Sequence, residues 1–163
     1  MSLTENFEQD DKDDLITYMS LVDSILTNAE LYISWIDETV LKEITYKRNG
    51  SVYPFPLNYI QNWRKRYVVL KQLSFYDWKN LTLDEVIEKI DKLCQSLSDK
   101  LGDKDYFFGT SPCELDALVF GHLFCIFTME LPASVFALTE TINKYSTLTQ
   151  FCARIEKTYF GGM

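Results

Sequence analysis

The sequence has little of what metal, redox or nucleophilic chemistry uses. It contains one histidine, His122, and four cysteines, Cys94, Cys113, Cys125 and Cys152. No two cysteines form a Cys-x-x-Cys pair, so the closely spaced ligands of a structural zinc site are missing. There is no Gly-rich phosphate cradle and no Gly-x-Ser-x-Gly elbow. Six glycines and four prolines exclude collagen-like and low-complexity classes. No run approaches the roughly 20 apolar residues of a membrane-spanning helix; the best stretch, residues 117–129, is short and contains His122. Bases are outnumbered 16 to 24, a net charge of −8, which argues against a nucleic-acid partner because phosphate attraction dominates that affinity. No apolar segment with a small-residue cleavage site opens the chain. The expectation is therefore a reducing, cytosol-facing compartment, with free cysteines and unused sequons at Asn49 and Asn80.

What is present is the composition of a folded domain: 163 residues, 47% hydrophobic and 25% charged. Residues 1–14 carry a net charge of −5 and read as a flexible acidic leader. From Leu15 to Val40 apolar residues recur at steps of three and four, which predicts one long helix ending before Asn49-Gly50. Residues 49–58, with Pro54 and Pro56, predict a loop. A second helix follows, with Tyr59, Trp63, Tyr67, Leu70 and Leu73 on one side. Arg64, Lys65, Arg66 and Lys71 are placed on the other.

Thr82-Leu83-Asp84-Glu85 is a capping box, and the stripe from Leu83 to Leu101 behind it predicts a third helix stopped by Gly102. After a loop at 103–112, residues 114–129 are apolar almost all round, the pattern of a helix buried on most sides. Pro132 opens a shorter helical segment. A last helix carries Leu148, Phe151, Cys152, Ile155 and Tyr159 on one face. The prediction is an all-α bundle of five to six helices over residues 15–160, with no strand.

Candidate chemistry is sparse. His122 and Cys125 share a face at i and i+3, but a Cys–His dyad needs a third group to orient the imidazole. Asp116 lies on another face, so the pair reads as part of a core helix. Cys113 stands where a helix begins, a position that lowers thiol pKa, and is the candidate reactive thiol. Two capping registers compete there: Ser111 at N-cap with Glu114 at N3, or Cys113 at N-cap with Asp116 at N3, and propensity favours the first. Between Lys42 and Lys71 seven bases stand against one acid, Glu43, a local charge of +6. Arg64, Lys65, Arg66 and Lys71 are thus candidate contacts for an acidic partner or anionic lipid, set against the plainer reading of a solvated helix face. Many of the aromatic residues, among them Tyr53, Phe55, Tyr59 and Trp63, cluster in the same region, as either core or interface.

The stretch Tyr106-Phe107-Phe108 followed by Glu114-Leu115-Asp116-Ala117-Leu118-Val119-Phe120-Gly121-His122-Leu123 resembles the metaxin family. Ala29-Glu30-Leu31-Tyr32, residues 53–58 and residues 151–160 agree with it. The family's fold is similar to glutathione transferases, so the resemblance implies a helical bundle of the glutathione transferase C-terminal type. The thioredoxin-like N-terminal half, which carries the transferase active site, is implied to be absent from this chain. The resemblance further implies no catalysis, no cofactor and no metal. It implies an interaction subunit on the cytosolic face of the mitochondrial outer membrane, acting in protein import and β-barrel assembly. The implied partners are a membrane-anchored metaxin 1-like protein and the sorting and assembly machinery, with membrane association indirect. An alternative is the helical half of a glutathione-transferase-like enzyme, supplying a hydrophobic substrate wall. The transferase-like pattern, Ser or Thr, two residues, then Asp, favours Cys113 and Asp116 as the N-cap motif, with Cys113 departing from it. A bundle without its other half would also expose apolar surface, which implies a homodimer of this helical half.

Overall fold

The structure is a computed structural model that describes residues 7–129 and 132–161. It is helical throughout, and the described residues contain no strand, only an isolated bridge between Tyr106 and Gly109. Helix α1 (Gln9–Val22) runs through a π-helical stretch, Asp23–Thr27, into α2 (Asn28–Trp35). Helix α3 (Glu38–Val40) continues through a second π-helical stretch, Leu41–Thr45, into α4 (Tyr46–Gly50). The longer helices follow: α5 (Leu57–Phe75), α6 (Leu83–Leu101) and α7 (Glu114–Thr128). A 3-10 turn leads into α8 (Phe136–Asn143), and α9 (Ser146–Tyr159) closes the bundle.

The single long first helix predicted from the sequence is instead broken at Ile36–Asp37. The Asp37 carboxylate accepts the N–H groups of Thr39 at 3.1 Å and Val40 at 2.9 Å, and so starts a new helix. The apolar stripe continues across this break and hides it from periodicity. Part of the acidic segment read as a flexible leader, from Gln9 onwards, forms the first turns of α1. There Asp14 meets Lys100 of α6 at 2.6 Å. Residues 1–6 of that segment lie outside the described residues.

The core sits among α6, α7, α8 and α9 and extends to α1 and α2. Helix α6 starts at the predicted capping box, with Glu85 accepting the Thr82 N–H at 2.7 Å. It buries Val86, Ile90, Leu93, Cys94, Leu97 and Leu101, and stops at Gly102, whose φ of +52° suits a residue without a Cβ. Each fully buried Leu or Ile contributes about 1.5–3 kcal/mol of transfer free energy. Phe107 and Phe151 meet edge to face at 5.3 Å in the same core. Helix α7 is buried on most sides as predicted, but its small residues Ala117, Gly121 and Cys125 line a solvent-facing stripe.

Helix α5 is different. It packs chiefly on α2 and α4 and buries only Val69 and Leu73. A Schellman motif ends it: Asp77 takes φ +58°, and the Trp78 N–H donates to the Leu73 carbonyl at 2.8 Å.

Candidate functional site

Three places hold the residues singled out by the sequence. The first is the start of α7. Cys113 occupies the N-cap with extended backbone, and Asp116 is at N3. Asp116 is 1% exposed, so its carboxylate must find donors within the protein. It accepts the Phe107 N–H at 3.0 Å on Oδ1, and the Cys113 N–H at 2.8 Å on Oδ2. The Cys113 thiol also donates to Oδ2, at 2.9 Å. One carboxylate thereby ties the loop at 103–112 to the helix. The same geometry removes Cys113 as a reactive thiol. Burial first, then donation of its S–H to a carboxylate, pushes its pKa up to about 12, against the helix-terminus effect that sequence position suggests. Cys94 and Cys152 are likewise buried and pushed up to about 12, whereas Cys125 is exposed.

The second place joins two chain segments that the sequence leaves 92 residues apart. His122 Nδ1 on α7 lies 2.6 Å from Glu30 Oε1 on α2. The carboxylate raises the imidazole pKa above its ordinary value, and partial burial opposes the rise. Glu30 is the orienting group that sequence reasoning did not find; helical spacing carries no signal for a contact between helices. Cys125 shares this side of α7 and borders an apolar groove with Leu26, Ile33, Ile126 and Leu138.

The third place is the surface formed by α4, residues 51–56 and α5. The sequence puts Tyr59, Trp63 and Tyr67 on one side of α5 and the bases on the other. In the structure the buried side is that of Val69 and Leu73, so the aromatic side faces solvent. Trp63 is 72% exposed and stacks on Tyr67 at 6.2 Å, while Phe55, 81% exposed, meets Tyr59 edge to face at 6.0 Å. The bases do not stay together. Ile60, Arg64, Tyr67 and Lys71 follow at steps of four, three and four, so Arg64 and Lys71 flank the aromatic side. Lys65 projects elsewhere and is exposed. Arg66 turns into a groove between α4 and α5, beside Tyr46, Lys47, Asn58, Asn62 and Trp63. Its Nε is buried with no hydrogen-bond partner among the described residues. Asn62 fixes the floor of this groove: its amide donates to the Tyr46 carbonyl at 3.2 Å and accepts from Asn49 at 2.7 Å. Gly50 permits the close approach, since a Cβ there would stand 3.1 Å from Asn62 Nδ2.

Comparison with known proteins agrees with this architecture. Residues 90–155 match the glutathione S-transferase C-terminal domain family, and residues 1–66 match the family described as outer mitochondrial membrane transport complex protein. Metaxin-2 of Mus musculus is 45% identical over 98% of this chain and 60% of its own length. The Metaxin-2 homolog of Caenorhabditis elegans is 35% identical over 79% of this chain and 56% of its own. Metaxin-1 of Mus musculus is 29% identical over 90% of this chain and 48% of its own. The chain thus spans about 60% of the length of the mouse Metaxin-2 it matches. No solved structure matches it. Similarity to Metaxin-2 along nearly the whole chain, on a bundle of glutathione transferase C-terminal type, establishes that the chain belongs to the metaxin family.

Proposed function

We propose that this chain is a non-enzymatic interaction subunit on the cytosolic face of the mitochondrial outer membrane. In this reading it acts in protein import and in the assembly of β-barrel proteins, together with a metaxin 1-like partner and the sorting and assembly machinery. The observation that carries the reading is the continuous similarity to Metaxin-2, joined to the outer mitochondrial membrane transport complex family over residues 1–66. The interior supports it. Asp116 is occupied in holding a loop, and three of the four thiols are kept protonated by burial. No helix among the described residues is long and apolar enough to cross a membrane. Attachment in this reading is peripheral.

Affinity capture from outer-membrane extracts with the full-length protein tests it. Recovery of a metaxin 1-like protein in stoichiometric amount is the expected result, and its absence from a capture that retains the folded bait would overturn the reading. Glutathione binding or conjugation by the full-length protein would point instead to a transferase-like enzyme whose substrate wall is this bundle.

A further inference from the structure

The surface of α4, residues 51–56 and α5 combines three properties found together nowhere else on the described molecule. From residue 44 to residue 76 the chain has six bases and no acid, within a protein of net charge −8. On that segment Val52, Phe55, Tyr59, Ile60, Trp63 and Tyr67 are exposed. Beside them the groove between α4 and α5 is lined by Lys47, Asn58 and Arg66, whose buried Nε has no hydrogen-bond partner among the described residues. Glu38, whose field reaches Arg66, is engaged by Lys42 at 2.8 Å, and Glu43 is exposed.

We infer that this face is a docking surface for an anionic phospholipid bilayer, with a headgroup phosphate held in the α4–α5 groove and the aromatic side of α5 seated at the interface. Two physical requirements are met at once. A phosphate in the groove meets the cationic Lys47 and Arg66 that line it. The aromatic side supplies what a soluble acidic partner would not need, since Trp and Tyr rings favour the level of the headgroups and Phe55 is placed to enter the acyl boundary. Helix α5 lies along such a surface for about 28 Å, at 1.5 Å per residue. Arg64 and Lys71 flank its aromatic side, so their stems can lie along the rings while the charges reach phosphates. Nothing in this inference requires a protein partner.

The protein carries its own reporter. Trp35 and Trp78 are buried, and only Trp63 is exposed, so a change of tryptophan emission on binding isolates this face. The purified full chain is mixed with vesicles of phosphatidylcholine alone, or with roughly 30 mol% phosphatidylserine, in about 0.1 M NaCl. We expect co-flotation and a blue shift with the anionic vesicles only, no shift with inorganic phosphate, and loss of the shift in Trp63→Phe. Arg64→Glu/Lys71→Glu changes two exposed residues, so circular dichroism stays native. Its partition should fall at least about 25-fold, from about 5-fold for each charge removed. Arg66→Gln keeps the stem and should weaken binding without altering the fold. Absence of partition by the unchanged chain overturns the inference, as does partition that the double reversal leaves intact. So does a shift produced equally by inorganic phosphate. Binding of a polyglutamate peptide without vesicle binding assigns the face to an acidic protein. A solution dimer whose dissociation exposes Trp63 assigns it to a second copy. Either result also overturns it. Capture of a metaxin 1-like protein bears on the proposed function alone, so the two can fail separately.

Discussion

Helices α5 and α6 are each 19 residues long, and each carries an apolar stripe in its sequence, yet they end in opposite environments. The stripe of α6 faces α8 and α9 and is buried from Val86 to Leu101. The aromatic stripe of α5 faces solvent, and the helix is held by Val69 and Leu73 on another side. A stripe at helical spacing therefore states that a face will be covered, not by what. The charges distinguish the two: α6 alternates acids and bases along its outer side, whereas α5 has only bases, which suits a helix whose apolar face meets an anionic surface rather than a core.

The largest test of this contrast is to truncate one aromatic residue in each region. Phe151→Ala empties a site packed against Phe107 and should cost about 3–5 kcal/mol. Trp63→Ala removes a larger side chain but should change stability by less than about 0.5 kcal/mol, because no cavity forms at an exposed position. Urea midpoints at constant m-value check both. A Trp63→Ala cost comparable to that of Phe151→Ala would mean that the aromatic face is covered in solution.

Next in size is Asp116. Asp116→Ala leaves the buried N–H groups of Phe107 and Cys113 without an acceptor, and should cost about 2–3 kcal/mol. Proteolysis within 103–112 should accelerate with it, because the carboxylate is what ties that loop to α7. The thiols refine the same point. In the folded protein only Cys125 should react rapidly with an alkylating agent at neutral pH; Cys94, Cys113 and Cys152, pushed up to about 12, should wait for unfolding. Mass spectrometry of the labelled chain counts them. Cys113→Ser places a stronger cap at the same N-cap position and should be neutral or raise stability by up to about 1 kcal/mol.

The well-packed region was the more legible. Thr82 and Glu85 announce the start of α6, Gly102 its end, and a period of 3.6 gives its buried face, because all three signals act within one turn of chain. The break at Asp37 was hidden since an Asp cap at that point leaves the stripe in phase. At the start of α7 propensity alone favoured the Ser111 register, and the Cys113 register followed only from the family resemblance. The inside and outside of α5 were left open between core and interface, with Leu73 grouped on the aromatic side. Tyr59, Trp63 and Tyr67 recur at helical spacing beside Leu70 and Leu73, so the pattern alone does not say which part of that side is covered. Only the packing of α2 and α4 decides it.

Glu30 had no local signal, and it provides the finest test, since it links α2, which supports α5, to α7 in the core. The contact should be worth under about 1 kcal/mol, because both groups are partly exposed. Its sign with pH is fixed. The carboxylate raises the folded His122 pKa above 6.5, so the pair's contribution is fully present below about 6.5 and is lost as pH rises through the folded value. With one histidine in the chain, a single imidazole resonance reports it without ambiguity. In Glu30→Gln the hydrogen bond to a charged acceptor is gone while the burial remains, so the His122 pKa should drop to its ordinary value or below. The stability gap between the two proteins should then be wider at pH 6 than at pH 9. An unchanged His122 pKa in Glu30→Gln would show that α7 and α2 are held by apolar packing alone, and that the support beneath α5 is independent of the chain's only histidine.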